Sequence, residues 1–75
     1  MTTFFEFFQK LNNRHLYSKN SATEFHLMPS NQMGIHYKCK QVSEREWIVV
    51  AKEYDFLCNE YETTTVWKMV DGQWQ

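Results

Sequence analysis

The stretch Trp47-Ile48-Val49-Val50-Ala51 (WIVVA) is apolar at every position. Tryptophan and β-branched residues favour strands, and a strand with apolar residues on both sides is typical of one that is buried on both faces. We therefore expect this segment to be a central strand of a sheet that is covered on both sides.

The residues before this strand alternate between apolar and polar side chains, as half-buried strands do. Residues 35–40 have Ile, Tyr and Cys at every second position with His and Lys between them, which predicts a strand with one wet face. Ser43-Glu44-Arg45 is the expected hairpin connection from that strand to Trp47. Further upstream, residues 23–27 predict a short strand at the edge of the sheet. The pattern ends at Met28-Pro29, because proline cannot donate to a ladder, and a turn is expected through residues 30–32.

The residues after WIVVA predict one more long strand and a hairpin. Glu62 to Val70 is rich in Thr, Val and Trp, and its apolar residues fall on both faces. Asp71-Gly72 suits a two-residue type I′ turn, so residues 73–75 are expected to fold back along the strand. Residues 54–62 fit either helical spacing or strand alternation. We favour a strand, because the segment continues into β-prone residues and lacks helix caps.

The N-terminal segment has the period of an amphipathic helix. Thr3 and Glu6 have the spacing of a capping box, in which each side chain accepts a hydrogen bond from the backbone amide of the other. The apolar stripe of this helix comprises Phe4, Phe8, Leu11 and His15. We expect the helix to end between Asn13 and Tyr17, and the small, polar residues 18–21 to form a loop.

These elements predict a single small α+β domain over residues 1–75. The N-terminal amphipathic helix packs on an antiparallel sheet of about four strands, arranged as a meander. A chain of 75 residues buries only about 60% of the surface that its unfolded form exposes, so its core is thin. Because one helix covers only one side of a sheet, we expect a second copy or another protein to cover the other side.

Charge and hydropathy disfavour several classes of partner. The formal net charge of −1 provides no long-range field toward DNA, RNA or anionic lipid. Lys38 and Lys40 share a wet face with His36, but Glu44 and Glu46 dilute that patch, so nucleic-acid binding is disfavoured. No apolar run reaches about 20 residues, and no basic segment precedes the Phe-rich N-terminus. We expect no membrane anchor, no signal peptide and a cytoplasmic location.

Residues that could carry chemistry are scattered along the chain. The candidate ligands and nucleophiles are His15, His26, His36, Cys39 and Cys58. Only His36 and Cys39 approach the spacing of zinc ligands, and on a strand their odd separation points them to opposite faces. No local signature pairs Cys58 with a base. We therefore expect no metal, no cofactor, no enzymatic activity and two reduced thiols.

The sequence leaves two classes of binding function open. The first is a non-enzymatic protein-interaction module, of adaptor or inhibitor type, that self-associates as a dimer or binds another protein through an aromatic and aliphatic sheet face. The alternative is a small-molecule binder with a pocket between sheet and helix, lined by Tyr37, Trp47, Tyr61 and Trp67. The expected binding residues are Tyr37, Trp47, Ile48, Val50, Tyr61, Trp67 and Met69.

Overall fold

The computed structural model describes residues 3–12, 17–29 and 34–75, and shows one short helix packed on an antiparallel sheet. The elements are α1 (Phe4–Leu11), β1 (Tyr17–Ser21), β2 (Glu24–Leu27), β3 (His36–Ser43), β4 (Glu46–Tyr54), β5 (Glu60–Val70) and β6 (Gln73–Trp74). The strand order in the sheet is the order along the chain. The α+β class and the meander are therefore confirmed, but the sheet formed by the described residues has six strands rather than about four.

Helix α1 begins where the sequence predicts and ends earlier. The Thr3 hydroxyl oxygen accepts a hydrogen bond from the Glu6 amide at 3.2 Å, which satisfies one free donor of the first turn. The predicted end between Asn13 and Tyr17 is wrong, because the helix stops at Leu11. The side-chain amide of Asn12 donates to the Phe8 carbonyl at 2.8 Å, a local bond of the kind that competes with helix continuation.

Aromatic rings join the helix to the sheet. Phe4 stacks on Trp47 with ring centroids 5.0 Å apart, and Phe8 meets Tyr37 edge to face at 5.1 Å. Such ring pairs contribute roughly 0.5–1.5 kcal/mol beyond their buried area. Among the described residues, the buried apolar core comprises Phe4, Phe8, Phe25, Leu27, Cys39, Trp47 and Val49. This core lies entirely between the helix and one face of the sheet.

The first strand of the sheet was not predicted. Residues 18–21, expected to be a loop, belong to β1, and Ser18 pairs with His26 of β2. Strand β2 is therefore not at the edge of the sheet, contrary to expectation. The polar side chains of β1 carry no apolar alternation, so its pairing comes from the backbone ladder, which a side-chain pattern does not reveal. The turn predicted through residues 30–32 lies outside the described residues.

Three hairpin connections decide the shape of the rest of the sheet. The predicted connection between β3 and β4 is confirmed, with its turn at residues 44 and 45. The predicted Asp71-Gly72 turn is also confirmed, because φ is +51° and +79° at these two residues and β6 returns along β5. Residues 54–62 are neither one strand nor a helix. They contain the end of β4, a loop over residues 55–59 and the start of β5.

Candidate protein-binding site

The register of the sheet separates the expected binding residues into two groups. Trp47 pairs with Trp67, whereas Ile48 pairs with Val66, so these pairs lie on opposite faces. Tyr37, Trp47, Tyr61, Trp67 and Met69 lie on the face that holds the helix, and Ile48 and Val50 lie on the other face. The seven residues therefore do not form one continuous surface.

On the helix side, aromatic rings of α1 occupy the space in which the sequence predicts a pocket. Trp47 is only 6% exposed beneath Phe4, and Phe7 meets Trp67 edge to face at 5.3 Å. A cavity of about 670 Å³ lies instead between α1 and β6. This α1–β6 groove is lined by Glu6, Phe7, Lys10, Leu11, Gly72, Gln73 and Trp74. None of the four residues expected to line a pocket contributes to it.

The face opposite the helix is amphipathic rather than apolar. Ile48 and Val50 are half-buried there, whereas Trp47 and Val49 on the helix side are buried. Within the chain, only the helix side of WIVVA is buried, and cover of the other side by a second copy or another protein stays a prediction. Lys40 pairs with Ile48 and Lys38 with Val50, and the aliphatic stems of lysine cover apolar neighbours while their ammonium groups stay in water.

Two histidines meet on this opposite face. Nδ1 of His26 lies 3.1 Å from Nε2 of His36, within hydrogen-bonding distance. Desolvation, the neighbouring His26 and the Lys52 ammonium all lower the pKa of His36, which favours the neutral form of the His36 ring at pH 7. Cys39 is buried on the helix side, away from His36. In the part of the chain that the structure describes, no three His, Cys, Asp or Glu side chains gather as a metal site requires.

The loop over residues 55–59, which we call the hairpin tip, is stabilised by hydrogen bonds to one carboxylate, that of Asp55. Oδ1 of Asp55 accepts hydrogen bonds from the backbone amides of Leu57 at 2.8 Å and Asn59 at 2.9 Å. The Asn59 side chain donates to Oδ2 of Asp55 at 3.2 Å. The backbone bond from Asn59, together with the Asn59 side chain and the Leu57 amide, holds the pKa of Asp55 below its ordinary value.

The hairpin tip presents large apolar side chains to solvent. Phe56 is 92% exposed and Leu57 is 66% exposed, although the loop that carries them is held by the Asp55 bonds. Aromatic side chains on an ordered backbone bind partners at low entropic cost, and they are common among the residues that dominate interfaces. Sequence reasoning missed both residues. The available signal was the flanking pair Asp55 and Asn59, which favours a turn.

Strand β5 has an outer edge with backbone groups available for pairing. Lys68 exchanges backbone hydrogen bonds with Gln75 at 2.8 and 2.9 Å, while the Met69 amide donates to the Arg45 backbone carbonyl on the other side of the strand. The backbone N–H and C=O groups of successive residues in a strand point alternately to its two sides. The even-numbered residues of β5 therefore point these groups outward, away from β4. Across residues 3–12, 17–29 and 34–75, no strand pairs with the outward groups of Glu60, Glu62, Thr64 and Val66.

The other edge of the sheet is less suited to pairing. The β1–β2 register shifts between Lys19 and Ser21, and such an irregularity discourages edge pairing. Strand β5 keeps one register against β4 over residues 60–68. Its residues 63–65 are three successive threonines, which favour extended backbone. The β5 outer edge and the adjoining hairpin tip are therefore the candidate protein-binding site.

We expect Asp55→Ala to loosen the hairpin tip without unfolding the sheet. The amides of Leu57 and Asn59 lose their acceptor, so their hydrogen exchange should accelerate, as measured by NMR. Since the pKa of Asp55 is lowered by folding, the stabilisation is present above its ordinary value of 3.8 and is lost as the pH falls through the lowered value. Glu53→Ala removes a carboxylate outside the loop and is the control; equal acceleration in both variants would contradict the assignment.

Comparisons of the chain with family models, with curated proteins and with solved structures find no match. No helix in the described ranges is long and apolar enough to cross a bilayer.

Proposed function

We propose that the chain is a non-enzymatic protein-interaction module, of adaptor or inhibitor type, that acts in the cytoplasm and accepts an additional strand at the β5 outer edge. The observation that carries this proposal is the row of outward backbone groups at Glu60, Glu62, Thr64 and Val66. An extended segment that adds to a sheet edge gains main-chain hydrogen bonds at every second residue.

The hairpin tip supports the same proposal. Phe56 and Leu57 lie at the end of the β5 outer edge, within four residues of Glu60. Strand addition by itself recognises little sequence, because main-chain groups are common to all residues. Exposed apolar anchors beside the edge would supply the selectivity, since a few buried aromatic contacts carry most of the binding free energy at interfaces.

A proline substitution separates edge pairing from other modes of binding. The Thr64 amide points outward, so Thr64→Pro removes one donor from the edge and leaves the bonds to β4 intact. Linear peptides selected from a displayed library for binding to the wild-type chain should bind Thr64→Pro at least about tenfold more weakly. Isothermal titration with purified peptides measures the change, and circular dichroism should show an unchanged fold.

Two further variants control this experiment. Thr64→Val keeps the backbone amide and the side-chain shape, so peptide binding should be retained. Phe56→Ser keeps the edge and removes the aromatic anchor, so binding should weaken. Peptides that bind Thr64→Pro as tightly as the wild-type chain would show that the β5 outer edge is not the binding site.

A further inference from the structure

The outward residues of β5 are arranged symmetrically about Thr63. In an antiparallel pair centred on Thr63, Glu60 of one copy lies opposite Val66 of the other, and Glu62 lies opposite Thr64. Every outward residue then faces another outward residue, as the hydrogen-bonded pairs of an antiparallel ladder require. The edge of this strand is therefore complementary to itself.

We infer that the strand added at the β5 outer edge is β5 of a second copy of this chain, paired antiparallel about a two-fold axis at Thr63. This inference rests on the proposed function, because it names the partner of the same edge. Two-fold pairing is the commonest closed association of identical chains.

Both ends of the available edge fit this register. At one end, the outward groups of Lys68 are already bonded to Gln75, so pairing stops at Val66. At the other end, Cys58 has a φ of +64° and the chain turns toward β4, so pairing stops at Glu60. Glu60 and Val66, the two ends of the available edge, are each three residues from Thr63. An axis moved by one residue to Thr64 would place Glu60 opposite the occupied Lys68.

The side chains of β5 are compatible with this pairing. Thr63 would meet Thr63 of the second copy, and Tyr61, which is 46% exposed, would gain Thr65 of the second copy as a neighbour. Cross-strand Thr pairs and aromatic contacts with β-branched residues stabilise antiparallel sheets. The carboxylate of Glu60 already pairs with the Lys52 ammonium at 2.9 Å, which reduces charge repulsion at the edge.

The same register brings each hairpin tip beside the second copy. Because the two β5 strands run in opposite directions, the tip of one copy lies end-on to β6 of the other, where Trp74 lines the α1–β6 groove. Phe56 and Leu57 are the apolar side chains available to cover that end. In the paired arrangement, the second copy would therefore cover both the exposed hairpin tip and the α1–β6 groove.

A cysteine placed on the proposed axis gives a direct test. Thr63 would form a non-hydrogen-bonded pair with its counterpart, with Cα atoms about 4.5 Å apart, which is within the range of a disulfide. In a Cys58→Ser background, Thr63→Cys should give a covalent dimer on mild oxidation, observed by non-reducing electrophoresis. Thr65→Cys is the matched control, because the register separates the two copies of residue 65 by about 13 Å along the strand.

Sedimentation velocity over a wide concentration range supplies the second measurement. The wild-type chain should dimerise, whereas Thr64→Pro should sediment as a monomer with an unchanged circular dichroism spectrum. A wild-type chain that stays monomeric at high micromolar concentration, or equal cross-linking of Thr63→Cys and Thr65→Cys, would overturn the inference. If such a monomer still binds selected peptides in a manner that Thr64→Pro weakens, the proposed function stands and only the second copy is excluded.

Discussion

Phe4→Ala is expected to destabilise the chain by about 3–5 kcal/mol, the usual loss when a buried Phe is truncated. Phe4 is 2% exposed and lies at the centre of the ring cluster. Its aromatic neighbours are Phe7, Phe8, Phe25, Trp47, Trp67 and Trp74. A chain of 75 residues has a total stability of roughly 4–11 kcal/mol, so the variant should be largely unfolded or close to it.

Urea denaturation followed by tryptophan fluorescence measures this loss. Lys10→Ala is the matched control on the same helix, because Lys10 is exposed and its truncation should change the free energy of unfolding by less than about 0.5 kcal/mol. Similar denaturation midpoints for the two variants would show that α1 does not anchor the sheet through Phe4.

The second large effect concerns the two free thiols, Cys39 and Cys58. Cys39 is fully buried, and desolvation raises its pKa from 9.0 to about 12. Since the thiolate is the nucleophile, its fraction at pH 8 falls about a thousandfold relative to the unfolded chain. Brief alkylation of the native chain should therefore add one adduct, at the exposed Cys58, as measured by mass spectrometry.

Alkylation in denaturant should modify both thiols, because unfolding exposes Cys39. The variant Cys58→Ser should gain no adduct in the native state over the same time. Rapid double alkylation of the native wild-type chain would mean that Cys39 is accessible and that the core between α1 and the sheet is open.

The features that sequence reasoning predicted correctly are those set by neighbouring residues. Thr3 and Glu6 define the start of α1 because capping is a local hydrogen bond. Asp71-Gly72 defines the last turn because a type I′ turn requires positive φ at both positions. Both features are determined by residues within three positions of each other, so the local sequence is sufficient to predict them.

The features that sequence reasoning missed depend on residues distant in the chain. Strand β1 is held by its backbone ladder to β2, and its polar side chains give no periodic signal. The β5 outer edge is defined by which strand lies beside it, which is a property of the strand order. Leu57 was missed because an apolar residue at helical or strand spacing is normally assigned to a core.

The length of the β4–β5 hairpin beyond the helix has a consequence for its dynamics. The molecule extends 40 Å along its longest axis, and residues 60–66 of β5 are all exposed, so this part of the hairpin gains little from side-chain packing. Such a segment opens locally at a smaller free-energy cost than global unfolding. A strand that pairs with it must therefore bind the closed hairpin, and its apparent affinity falls with the fraction of time that the hairpin is open.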